Sequence, residues 1–259
     1  LAQAAGRFII SFSRALRSAT ACFLVMAVVG FASSATAQNE LLSALQPIDR
    51  DRLCVTNGMV STSADGQLAV ETPSSRATVR AATENAADQI AEIHFRFLGP
   101  SQDSRPLASG ELRRQIGLML QTQDSCNVIY VMWRIEPDAR VAVSVKRNAD
   151  QHTHQQCGAR GYINFTPQDR DSLPPIRAGE AHTLRAELHG EDLTVTADGK
   201  VAWQGSLGSE IALPMGPPGV RTDNARLTFQ YFAAVSARSR PMSQQMPPSH
   251  GQCVTSKGD

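Results

Sequence analysis

Gln115, Tyr130, Arg134, Ser144 and Lys146 carry side chains suited to holding a polar ligand. They lie on three successive strand-like segments, each opposite its segment's most apolar positions. An amide and a hydroxyl each donate and accept hydrogen bonds, a guanidinium and an ammonium donate, and a phenol ring offers an apolar face. Together they can stack on a ring and bond to its polar substituents. His94 and Arg96 are read on a nearby strand and extend the set. Tyr162, Arg160, His152 and His154 are further candidates, in a long loop of the kind that often carries sites. The competing expectation, residue by residue, is a solvated outer sheet face.

Other chemistries find less support. There is no G-x-S-x-G string for a serine nucleophile. Gly158-Ala159-Arg160-Gly161 lacks the strand-to-helix transition and the Lys-Ser/Thr of a phosphate loop. The strand-borne acids Glu92, Glu136 and Glu187 have no acidic neighbour two or four places along their strands. His152, His154 and Cys157 form H-x-H-x2-C, which matches no common structural zinc spacing, and a disulfide is the better use of Cys157. The expectation is therefore no catalytic residue, no metal and no cofactor.

The elements that must position these residues have a period of two. Ile93, Phe95 and Phe97 alternate with Glu92, His94 and Arg96; Ile116, Leu118 and Leu120 alternate with Gln115, Gly117 and Met119. Asn127 to Ile135 is almost wholly apolar, as for a central strand covered on both faces, and Val141, Val143 and Val145 repeat the alternation. His182 to Ser206 reads as successive hairpins, with Asp198-Gly199 a two-residue turn suited to positive φ. Leu227, Phe229 and Tyr231 make a last strand. Trp133 is placed in the core, and Trp203, at a hairpin, is placed there too. Regularity fails from Arg147 to Ala181. The segment from Asn39 to Arg52 reads as a short helix ending near Pro47, or as a flexible lead.

Residues 1–37 have the form of a secretory signal. Arg7, Arg14 and Arg17 precede the apolar run Ala21–Phe31, and Ala35-Thr36-Ala37 is a small-x-small cleavage site. The run is short of the roughly 20 apolar residues a spanning helix needs, so no membrane span is expected. Removing the leader takes the formal charge from +1 to −2. No basic run remains, and nucleic acid is not an expected partner. Cys54, Cys126, Cys157 and Cys253 then form an even set, which in an exported chain reads as two disulfides with three connectivities open. Cys126–Cys157 and Cys54–Cys253 are favoured. The expected organisation is a signal peptide at 1–37, a β-sandwich over 38–236 and a tail at 237–259 pinned by Cys253, in a periplasmic or extracellular protein.

The succession HGEDLTVTADGKVAWQG, a short loop, then GPPGVRTDNARLTFQYF, resembles the concanavalin A-like lectin/glucanase superfamily and its laminin-G-like domains. Gly190, Leu193, Val195, Asp198 and Gly199, then Gly219, Val220, Arg221, Asp223, Asn224 and Phe229, carry the likeness, which covers about residues 78–234. It implies an all-β fold, a two-sheet antiparallel jelly-roll sandwich. It also implies a carbohydrate ligand on a concave sheet face. The E-x-D-x-x-E string of the glucan hydrolases is absent from the sequence, and the metal-ligand cluster of the legume-type lectins is not recognisable. The resulting expectation is a non-catalytic domain that binds carbohydrate or cell-envelope material. A sugar-active hydrolase or lyase, or a protein-interaction domain, are the alternatives.

Overall fold

Alternating apolar residues form strands whose inward faces meet in one interior. The computed structural model describes residues 45–80, 88–168, 173–208 and 212–234. The strands are β1 (Leu45–Pro47), β2 (Leu53–Asn57), β3 (Ser61–Thr62), β4 (Leu68–Val70), β5 (Ser74–Val79), β6 (Gln89–Pro100), β7 (Arg114–Leu120) and β8 (Val128–Glu136). They continue as β9 (Arg140–Lys146), β10 (Tyr162–Phe165), β11 (Ala181–His189), β12 (Asp192–Ala197), β13 (Lys200–Ser206), β14 (Gly219–Asp223) and β15 (Ala225–Ala234). An eight-stranded sheet runs β13-β12-β11-β6-β15-β4-β3, with β1 also on β15. A seven-stranded sheet runs β10-β9-β8-β7-β14-β5-β2. The pairings are antiparallel, and the two sheets pack as a jelly-roll sandwich.

The core lies between the sheets. Ile93 and Phe95 of β6, Leu184 of β11 and Phe229 of β15 meet Leu118 of β7, Val131 and Trp133 of β8 and Val143 of β9. Trp133 meets Phe95 edge to face, centroids 5.7 Å apart. Trp203 is buried as well. Each large apolar side chain taken fully out of water contributes about 1.5–3 kcal/mol. Asp198 and Gly199 both have positive φ, 51° and 77°, as the β12–β13 turn requires. Asn224, with φ 54°, is the only residue between β14 and β15, so one left-handed residue carries the chain from one sheet to the other.

Several expectations need correction. The segment ahead of Arg52 is not helical where it is described: Leu45–Pro47 pairs with β15, and Arg50–Arg52 is a 3-10 turn. Pairing with an open strand edge outweighs the weak helical signal there. His94 and Arg96 are not beside the other candidates. Their strand, β6, lies in the eight-stranded sheet, so they face away on the opposite side of the sandwich. His94 contacts Glu92 and packs on Phe232, and Arg96 donates to the Gly179 carbonyl.

Cys126 and Cys157 are bridged, with Cα atoms 5.9 Å apart. Cys54 is disulfide-bonded, and its expected partner Cys253 lies outside the described residues, as do the signal segment and the tail. No helix among the described residues is long and apolar enough to cross a membrane.

Candidate functional site

The face of the seven-stranded sheet turned away from the core forms the floor of a cleft of about 770 Å³. Strand register arranges that floor in rows. One row runs Arg76 (β5), Arg221 (β14), Gly117 (β7), Met132 (β8) and Ala142 (β9). The next runs Ser74, Asp223, Gln115 and Arg134. A third brings Met119, Tyr130, Ser144 and Asn164 abreast. Gly117 keeps the middle of the floor low: a Cβ there would lie 2.2 Å from the Val131 carbonyl oxygen and 2.7 Å from Met132 Sδ.

At the centre lies a buried ion pair. Arg221 is 8% exposed and Asp223 1%. Arg221 donates from Nε to Asp223 Oδ2 at 2.9 Å and from Nη2 to Oδ1 at 3.3 Å. Gln115 Nε2 donates to Oδ2 at 2.6 Å and Ser74 Oγ to Oδ1 at 3.3 Å. Burial would raise the Asp223 carboxyl, but the Arg221 charge and these hydrogen bonds outweigh it and hold the group below its ordinary range. Burial likewise disfavours the Arg221 cation, and Asp223 more than restores it.

The Arg221 guanidinium sits 4.8 Å from the Tyr130 ring centroid. Tyr130 in turn stacks on Tyr162, with centroids 6.1 Å apart and planes 23° from parallel. Lys146 Nζ lies 5.4 Å from the Tyr162 centroid. Tyr130 is 3% exposed and Tyr162 37%, so Tyr162 is the aromatic ring open to the cleft. Burial, then the neighbouring Tyr130, raises the Tyr162 phenol, which stays neutral.

Three walls rise from this floor. The loop over residues 101–113 supplies Asp103, Arg105 and Arg113, the end of β2 and the residue after it supply Asn57 and Gly58, and the turn before β5 supplies Thr72. The cysteine-tethered loop supplies His154, Gly158 and Ala159. In that loop the helix His154–Cys157 begins where Gln156 Oε1 accepts from the main-chain N–H groups of His152 and Thr153, both at 2.9 Å. Asn127 ties it down by donating to the Gln151 carbonyl at 2.9 Å and accepting from Arg147 Nη1 at 2.8 Å.

Of the five residues singled out in the sequence, Gln115, Tyr130, Arg134 and Ser144 line the cleft. Lys146 is 2% exposed. Its ammonium donates to the carbonyls of Ser125 at 3.0 Å and Gly158 at 2.8 Å, which places it beneath the loop as an anchor. Tyr162 and His154, from the long loop, line the cleft too; Tyr162 lies on edge strand β10. Cys157 Sγ belongs to the disulfide and so is not a donor for a metal.

Arg76, Arg113, Arg221 and Asp223 escaped the sequence reading. Arg221 and Asp223 fall within the turn-and-core likeness, although their spacing of two on one strand puts them on one face. Glu92, Glu136 and Glu187 stand apart from the cleft, engaged by Arg185, Arg114 and Arg185 respectively.

No protein-family model matches the chain, and no curated protein matches it. Among solved structures it is similar to the carbohydrate-binding module CBM66 from Bacillus subtilis, at 14% identity and a TM-score of 0.49, over 69% of this chain and 91% of that one. It is also similar to the carbohydrate recognition domain of Emp47p, at 11% identity and a TM-score of 0.46, over 75% and 96%. Likeness at these levels assigns neither ligand nor activity.

Proposed function

We propose that the domain is a non-catalytic carbohydrate-binding module of the concanavalin A-like kind, exported to the periplasm or beyond, and that the cleft is its site. The observation that carries this reading is the composition of the cleft. An exposed tyrosine ring borders a floor of Met132 and Ala142, and the amides of Gln115 and Asn164 and the hydroxyl of Ser144 surround it. A sugar presents an apolar ring face edged with hydroxyls, and this lining matches both. The volume falls in the range of small-ligand sites, roughly 300–1,000 Å³.

Binding is favoured over hydrolysis by the state of Asp223. Glycoside hydrolysis needs two carboxyl groups, one of them able to give up a proton. Asp223, the acid on the floor, is held ionised by Arg221 and bonded on both oxygens. The Cys126–Cys157 bridge is in keeping with an oxidising compartment.

A glycan array followed by titration calorimetry tests the reading. The chain from Gln38 onward should bind at least one glycan, and Tyr162→Ala should abolish that binding while the circular dichroism spectrum is unchanged. Failure to bind any glycan, or binding indifferent to both Tyr162→Ala and Gln115→Ala, overturns it.

A further inference from the structure

We infer that the ligand of this cleft is an anionic glycan, whose carboxylate or sulfate groups are met by Arg76 and Arg134. The inference rests on the carbohydrate-binding reading and adds the charge of the sugar.

The lining carries five guanidinium groups, of Arg76, Arg105, Arg113, Arg134 and Arg221, against two carboxylates, Asp103 and Asp223. Arg221 is neutralised by Asp223, and Arg113 is engaged by Glu111 from outside the lining. Among the described residues, Arg76, Arg105 and Arg134 have no carboxylate in contact, and the Nε atoms of Arg76 and Arg134, like that of Arg113, are buried without a hydrogen-bond partner. The Gln115 Oε1 between them is unpartnered as well.

Register makes this arrangement costly without an anion. Arg76 stands directly opposite Arg221 on the neighbouring strand, and like charges in that position repel. Asp223 stands in the adjacent row and feels the Arg76 charge, but its oxygens are bonded to Arg221, Gln115 and Ser74. Arg134 has two cations, Arg113 and Arg140, and two acids, Glu111 and Asp138, near it. Burial first, then the charges of Arg113 and Arg140, lower its guanidinium to about 10, against the opposing pull of Glu111 and Asp138. It remains protonated at neutral pH, and a ligand anion would relieve the repulsion.

The choice of arginine points the same way. Its planar fork matches a carboxylate or sulfate with two parallel hydrogen bonds, which a lysine cannot do. Arg76 and Arg134 stand on strands separated by three strand spacings, roughly 14 Å. They flank the low floor at Gly117, so an extended oligosaccharide can present one acidic group to each. Every residue of a glycan presents a ring face to lay on Tyr162, whereas an acidic peptide does so only at occasional side chains, which is why a glycan is the favoured source of the charge.

Matched probes test this in calorimetry. One pair is tetragalacturonate and its carboxyl-reduced counterpart; the other is a chondroitin sulfate hexasaccharide and its desulfated form. The more highly charged member of at least one pair should bind ten-fold or more tightly than its twin, and the pair that responds identifies carboxylate or sulfate. Raising NaCl from 50 to 500 mM should weaken that binding by a similar factor, without any mutation. Arg134→Gln and Arg76→Gln should each bring the more highly charged member close to its twin. Equal binding within both pairs, or tighter binding of the carboxyl-reduced and desulfated twins, overturns the inference and leaves the carbohydrate reading standing. Polyglutamate binding as tightly as the acidic glycans overturns it in favour of a peptide. No binding to these probes or to any neutral glycan overturns both readings.

Discussion

Arg221→Met makes the central ion pair a quantitative test. The substitution keeps most of the aliphatic stem and removes the guanidinium. Asp223, 1% exposed, is then left with hydrogen bonds from Gln115 and Ser74 and no cation bonded to it. Removing one partner of a buried pair costs about 3–5 kcal/mol, because the other charge stays out of water uncompensated. Loss of the guanidinium from the Tyr130 ring, 4.8 Å away, adds about 1–2 kcal/mol. The total is a large part of the roughly 5–15 kcal/mol by which a domain is stable.

The pH dependence gives this prediction a sign. In the native protein the folded Asp223 carboxyl is depressed. Its stabilisation is therefore complete above the unfolded value, about 3.9, and is lost as pH falls through the folded value. Without Arg221, burial dominates and the folded carboxyl rises above the unfolded value. The variant then regains stability, relative to the native protein, as acid protonates it. Urea unfolding followed by circular dichroism at pH 7 and pH 4 should show a deficit that narrows at the lower pH. A deficit under about 1 kcal/mol at pH 7, or one unchanged between the two, would refute the pair's role.

Replacing Cys126 and Cys157 together by Ser should cost about 3–4 kcal/mol, from the loop entropy of a 31-residue separation, read as a lowered Tm under non-reducing conditions. A change under 1 kcal/mol would mean the loop is held by Lys146 and Asn127 alone. Gly117→Ala should destabilise by about 1–3 kcal/mol, because the new methyl meets the Val131 carbonyl and the Met132 main chain, neither of which can swing aside. An unchanged Tm would show that the floor is not close-packed there.

The strands from β6 to β9 and from β11 to β13 were legible because their apolar residues alternate and their turns are marked by Gly and Asp. The sheet to which each strand belongs was not. A period of two says that His94 and Phe95 face opposite ways, but it does not say which sheet takes β6. That distinction separated His94 and Arg96 from the other candidates. The early strands were obscured by small polar residues: β5 reads SSRATV, and its Arg76 gives no local sign of lining a cleft. Strand β14 is buried at all five positions although it contains Arg221, Thr222 and Asp223. Arg221 and Asp223 are satisfied by one another and by adjacent strands, a long-range solution that local pattern cannot reveal. Cys126 and Cys157 were legible as a pair because one stands just ahead of a central strand and the other in the irregular connection beyond the next strand.

Asn224 joins the cleft to the seam of the sandwich. Its main-chain N–H donates to the Pro73 carbonyl at 2.7 Å, and its carbonyl accepts from Ser101 N at 3.1 Å. Its amide donates to the carbonyls of Arg105 at 2.8 Å and Arg113 at 3.0 Å, and accepts from Arg105 N at 2.8 Å. A rim fastened to that hinge point cannot swing outward unless the two layers part. The berth is thus ordered as the chain folds, so that on the proposed reading a guest would meet a mould whose ordering entropy was spent beforehand.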